Sequence, residues 1–158
     1  MQAQAPASLG GCGAVMLAGT TVSVAFGPPP GCPLMNGTKA SGSASLAVTA
    51  SAGTVTIAAT FTTLVVNGKD LDGALSFSTT NGTTFKTTGD LTSGGNTTTL
   101  DLTVVGTATA MTIDGASSAA KTGAAATTLT FTGVKLLKKD CYPSAGSVKY
   151  GKGLLSET

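Results

Sequence analysis

The chain has 158 residues and a formal net charge of +2, with nine Lys, seven acids and no Arg, His or Trp; 10% of its residues are charged and 41% are apolar. That length suits one domain with a core of its own, while so few cations and aromatics exclude the clustered basic face and stacking platforms of a nucleic-acid binder. The lack of His removes the commonest general base and the usual partner of serine and cysteine nucleophiles, so no enzyme is expected.

Residues 1–12, MQAQAPASLGGC, are expected to be an N-terminal tail or processing remnant. They lack a basic start and a long apolar run, although Ala3-Gln4-Ala5 has the small-x-small form of a signal-peptidase site. Leu9-Gly10-Gly11-Cys12 resembles a lipobox, which leaves a lipid anchor on Cys12 as a minor alternative. Residues 13–158 are expected to be a single β domain, with 13–32 as an N-terminal strand segment and proline loop. No run approaches the roughly 18 apolar residues of a spanning helix.

Gly13 to Phe26 reads as one or two strands with apolar residues at Val15, Leu17, Val22, Val24 and Phe26. This segment is the candidate for self-association, as an edge strand or as a strand donated to a neighbouring copy. Gly27-Pro28-Pro29-Pro30-Gly31 ends it in a rigid loop, because proline donates nothing to a ladder. Cys12 and Cys32 flank the segment and are the favoured disulfide in an oxidising compartment. Cys32 with Cys141 is the alternative, and Cys141 is otherwise unassigned.

Ser43 to Gly68 carries the clearest hairpin pattern. Leu46 and Val48 share one face of a first run, and Val55, Ile57, Ala59 and Phe61 share one face of a second, with Thr54, Thr56 and Thr60 opposite. Thr suits an outward strand position, because its branched Cβ favours the pleat and its hydroxyl meets water. Asn67-Gly68, Asp72-Gly73, Asn81-Gly82, Gly94-Gly95 and Asp114-Gly115 then read as successive hairpin turns. Between them Leu100, Leu102 and Val104 alternate with Thr99, Asp101 and Thr103, while residues 116–126, ASSAAKTGAAA, read as a loop or a flat neutral strand. Leu129 and Phe131 resume the alternation, and the last strand runs through Val148 and Tyr150. The expected fold is therefore all-β, an antiparallel meander forming a sandwich, barrel or solenoid-like sheet. A repeat of about 42 residues aligns Leu71-Asp72-Gly73-Ala74 with Ile113-Asp114-Gly115-Ala116.

Little chemistry is visible along this frame. Asp70 and Asp72 have the spacing of paired calcium ligands, but the further oxygen positions and bidentate Glu of a calcium loop are missing, and the turn reading takes precedence. No metal and no cofactor is expected. Ser118-Ala119-Ala120-Lys121 matches a Ser-x-x-Lys pair without the accompanying signature of a penicillin-binding site. The Thr-x-Thr runs lack the fixed spacing of a ranked ice-binding array. Lys135, Lys138, Lys139, Lys149 and Lys152 read as solubilising charge near a sheet edge.

The rhythm TFTTLVVNGKDLDGALSFSTTNG, with the closing DCYPSAGSVKYG, resembles uncharacterised secreted or lipoprotein-type β-meander surface proteins of Gram-negative bacteria. That resemblance implies an extracytoplasmic all-β protein of no stated activity. The expected function is an extracellular structural protein, a filament, matrix or surface-layer subunit that self-associates as a homo-oligomer or polymer by strand pairing. The alternative is a secreted or surface-anchored binding module for a glycan or apolar ligand.

Overall fold

The computed structural model describes residues 2–3, 13–34, 37–140 and 142–152, and no helix occurs among them. The alternating Val, Ile, Leu and Thr positions form β1 (Gln2–Ala3), β2 (Ala14–Ala18), β3 (Thr21–Ala25), β4 (Cys32–Pro33), β5 (Lys39–Ser51) and β6 (Thr54–Val66). They continue as β7 (Lys69–Thr79), β8 (Thr84–Ser93), β9 (Asn96–Gly106), β10 (Ala110–Lys121), β11 (Thr127–Leu137) and β12 (Ala145–Lys152). All twelve belong to one antiparallel sheet, in the order β1-β2-β3-β5-β6-β7-β8-β9-β10-β11-β12, with β4 flanking β5 beside β3. The sheet does not close, since β12 at one edge and β1 and β2 at the other are not paired with each other. The meander expected from the sequence is present. Its finer alternatives give way to a single open sheet.

Register shows how the composition is sorted. Residues paired across antiparallel strands share a face, so the pairings trace continuous rows. One row runs Leu17, Val22, Leu46, Ala59, Leu75, Gly89, Leu100, Ser117, Leu129, Tyr150 across ten strands. The next runs Val48, Ile57, Phe77, Thr87, Leu102, Gly115, Phe131, Val148 on the same face. The opposite face carries rows such as Ser23, Ser45, Thr60, Ala74, Asp90, Thr99, Ser118, Thr128. The period-2 pattern thus puts most of the large apolar side chains on one surface and most of the Thr and Ser and all the strand Asp on the other, with Met16, Val65, Val105 and Leu137 as apolar residues on the polar side.

Asp72-Gly73 and Asp114-Gly115 are not turns. Both dipeptides lie inside long strands, β7 and β10, at places where the sheet bends. Gly73 has φ 123° and Gly115 φ 120°, and a Cβ on either would stand 2.1 Å from a carbonyl oxygen of a neighbouring strand, that of Asp90 in β8 or Asp101 in β9. Such backbone is open to glycine alone. Beside each bend the neighbouring strand carries one extra residue: Thr63 in β6, between Phe61 and Leu64, and Gly133 in β11, between Phe131 and Val134. These bulges bend the strands and restore the face alternation beyond them. Asn67-Gly68 and Gly94-Gly95 do form two-residue turns, and Asn81-Gly82 lies in the loop between β7 and β8, as expected. Of residues 116–126, the first six complete β10 and the rest make the link to β11.

The segment expected to be an edge strand or a donated strand is paired within its own chain, close to one edge of the sheet. β2 and β3 form a hairpin that joins the sheet through Val22 opposite Leu46 and Val24 opposite Ala44. Val15, Leu17, Val22 and Val24 fall on its apolar face, and the Phe26 N–H donates to the Gly42 carbonyl at 2.8 Å. Within residues 1–12, Gln2 and Ala3 pair with Met16 and Val15, so the expected tail contributes a strand. Few side chains are fully buried among the described residues: Cys32, Ala40, Ser41, Leu64 and Val134. Cys32 is disulfide-bonded. Cys12 and Cys141 both lie outside the described residues.

Candidate functional site

Among the described residues, the apolar face is the feature left without a covering layer. A sheet buries its hydrophobic side against another layer, and here no second layer exists among the described elements. Phe77 is 41% exposed and Phe85 46%, and Leu17, Leu46, Val48, Val55, Ile57, Met111 and Leu129 are exposed with them. Four neighbouring rows cross seven to ten strands, at roughly 4.8 Å per strand and 6.8 Å per row, and the face they make, with Thr, Gly and Ser among its apolar residues, has an area of the order of 1,000 Å². The largest apolar patch of an ordinary monomer covers about 300–600 Å².

Acidic charge is sorted more strictly than hydrophobicity. Asp70, Asp72, Asp90, Asp101 and Asp114 all fall on the polar face, as their pairing with Val65, Thr92, Thr99, Thr88 and Thr103 places them. No acid of the described strands lies on the apolar face. Its cations, Lys69, Lys121 and Lys152, stand at strand ends along one margin of the sheet.

The polar-face carboxylates are occupied in holding the fold. Both Asp70 oxygens accept from the Gly94 N–H, at 3.0 and 3.1 Å. Asp72 accepts from the Thr63 N–H, Asp114 from the Gly133 N–H at 2.7 Å, and Asp90 from the Thr99 hydroxyl. Asp70 and Asp72, the metal candidates of the sequence, therefore each serve a different backbone amide. Among the described residues no three His, Cys, Asp or Glu gather where they could hold a metal ion.

Protein-family models, curated proteins and solved structures give no match to this chain. Its surfaces alone carry the functional argument.

Of the open depressions, two mark the two faces of the sheet. One of about 430 Å³ sits on the apolar face at the margin where β8 and β10 begin and β9 and β11 end, lined by Phe85, Val104, Met111 and Leu136 among others. The other, about 380 Å³, lies at the β10 bend and includes Asp101, Thr103, Asp114 and Thr130. No helix of the described residues is long and apolar enough to cross a membrane. The apolar rows were legible residue by residue in the sequence, but their continuity across ten strands depends on register, which a sequence scan does not supply.

Proposed function

We propose that the protein is an extracellular structural subunit that self-associates through β-strand pairing, as a filament, matrix or surface-layer component. One observation carries this reading: the sheet is open, and all eight residues of its edge strand β12 are exposed. An edge presents unpaired backbone donors and acceptors, and a second copy satisfies them by adding a strand. The edge has Lys149 and Lys152 as its only charges, a light defence against pairing. At the other edge β1 covers β2 only at Val15 and Met16, so Val15, Leu17, Val22, Val24 and Phe26 enter this reading as part of a built-in edge hairpin. The disulfide at Cys32 supports an oxidising, extracytoplasmic location.

Light scattering and negative-stain microscopy of the full chain test the proposal, alongside Val148→Pro and Lys149→Pro made singly. Two neighbouring positions are needed because alternate N–H groups point outward. Particles larger than a monomer are expected, shortened by whichever proline removes an outward N–H while the circular dichroism of strand is retained. A monodisperse monomer at high concentration would overturn it. That outcome would favour the second reading, an apolar-ligand module using the depression lined by Phe85, Val104, Met111 and Leu136.

A further inference from the structure

Edge pairing extends a sheet but leaves its apolar side in water. We infer that the apolar face is covered by the same face of a second copy, two sheets stacking into a sandwich; this inference rests on the self-association reading and names the surface it uses.

The area agrees with that occupant. The apolar rows offer of the order of 1,000 Å² per copy, and a stable interface takes about 800 Å² from each partner. A two-fold pair is isologous, so one patch need only complement itself. The face carries both large side chains, as in Val48–Ile57–Phe77 and Leu17–Val22–Leu46, and small ones, at Ala59, Gly89, Gly115 and Ser117, so one patch presents ridges and hollows together. Such side chains interdigitate at the ~10 Å spacing of stacked sheets. With no acid on the face, stacking buries no unpaired carboxylate. Lys69, Lys121 and Lys152 share one margin, and the two-fold arrangement that runs the two sheets head to tail keeps the two lysine margins at opposite ends.

A lipid surface is the competing occupant, and the composition argues against it. Interfacial seating uses Trp and Tyr belts, whereas this chain has no Trp and two Tyr, of which Tyr150 alone lies in the apolar rows.

The experiment is sedimentation of the full chain with Ile57→Lys and Phe77→Lys, residues paired across β6 and β7 in the middle of the face. Particles at least twofold in mass are expected for the natural chain. Each Lys variant is expected to halve the basic unit, while the proline variants of β12 shorten assemblies and leave the pair intact. Hydroxyl-radical footprinting of the unmutated protein supplies a readout independent of variant folding. Protection of Leu46, Ile57, Phe77 and Phe85 supports the inference, and their full reactivity in assembled protein overturns it. Unchanged mass in both Lys variants, with strand circular dichroism retained, overturns the face inference but leaves edge assembly standing. A natural chain that stays monomeric defeats both. Flotation with vesicles of phosphatidylcholine and phosphatidylglycerol in place of self-association would also overturn the inference and assign the face to lipid.

Discussion

Asp72 on β7 accepts a hydrogen bond from the backbone N–H of Thr63 on β6, where the chain turns through φ 45° to make a bulge. The same device recurs at the far side of the sheet, where Asp114 on β10 accepts from the N–H of Gly133 on β11, at φ 55°. Each Asp precedes a bent glycine, and each glycine pairs with a phenylalanine, Gly73 with Phe61 and Gly115 with Phe131. The order of the partners is reversed, however. In the first case the bulged strand precedes the Asp-Gly strand, and in the second it follows. The 42-residue echo in the sequence therefore marks one local solution for bending a sheet, used twice, and does not by itself mark a copied hairpin.

Replacing Asp72 by Ala removes the acceptor for the Thr63 N–H and is expected to lower stability by about 1 kcal/mol, the net worth of one partly solvated hydrogen bond. Asp72→Asn keeps an oxygen in place and should recover most of that loss. Urea denaturation of the three proteins checks it; equal midpoints for the Ala and natural chains would remove the clamp from the account.

Thr63 is β-branched and sits at φ 45°, where its twin position carries glycine. Left-handed backbone costs a branched residue about 1–2 kcal/mol, and glycine returns about 0.5–1 kcal/mol of that as extra freedom in the unfolded chain. Thr63→Gly is thus expected to stabilise the protein by up to about 1 kcal/mol. A lowered denaturation midpoint would contradict it.

Gly73→Ala and Gly115→Ala combine a glycine-only φ with a Cβ 2.1 Å from a carbonyl oxygen. A loss of more than about 2 kcal/mol is expected for each, because neither strand can move without breaking its ladder. Gly19→Ala, in the β2–β3 turn at φ 58° with nothing within 4 Å, meets only the left-handed cost of about 1–2 kcal/mol. Thermal melts should place Gly19→Ala above both of the others.

Non-reducing peptide mapping is expected to join Cys32 to Cys12. Ala14 is opposite Ala25, which is opposite Ser43, and Cys32 is opposite Ala40 only three residues along the same β5 strand. Asp140 and Tyr142 lie between β11 and β12, and β11 is six strands from β5, about 29 Å along the sheet. A disulfide spans less than about 7 Å between Cα atoms. A peptide linking Cys32 to Cys141 would refute the expectation.

Lys86→Ala is expected to change stability by less than about 0.5 kcal/mol. Its partner Asp101 is 3.5 Å away, but the two side chains are 55% and 67% exposed, so water competes with the pair. A larger effect in denaturant melts would mean that this part of the polar face is covered in solution.

The sequence by itself determined the all-β class, because alternation such as Val55, Ile57, Ala59 and Phe61 against Thr54, Thr56 and Thr60 is a local property with a period of two. It also determined the two-residue turns at Asn67-Gly68 and Gly94-Gly95, whose chemistry lies in adjacent residues. Asp72-Gly73 and Asp114-Gly115 show where local reading stopped. The same dipeptide that tolerates a turn also tolerates a bend in mid-strand, and what selects the bend is a bulge on the neighbouring strand, with an N–H aimed at the carboxylate. Nothing in the dipeptide encodes that neighbour. Tertiary structure alone decided that the sheet stays open and that Leu17 and Tyr150 end one row on the apolar face, since closure and register are set by pairings between strands and not by the residues of one strand.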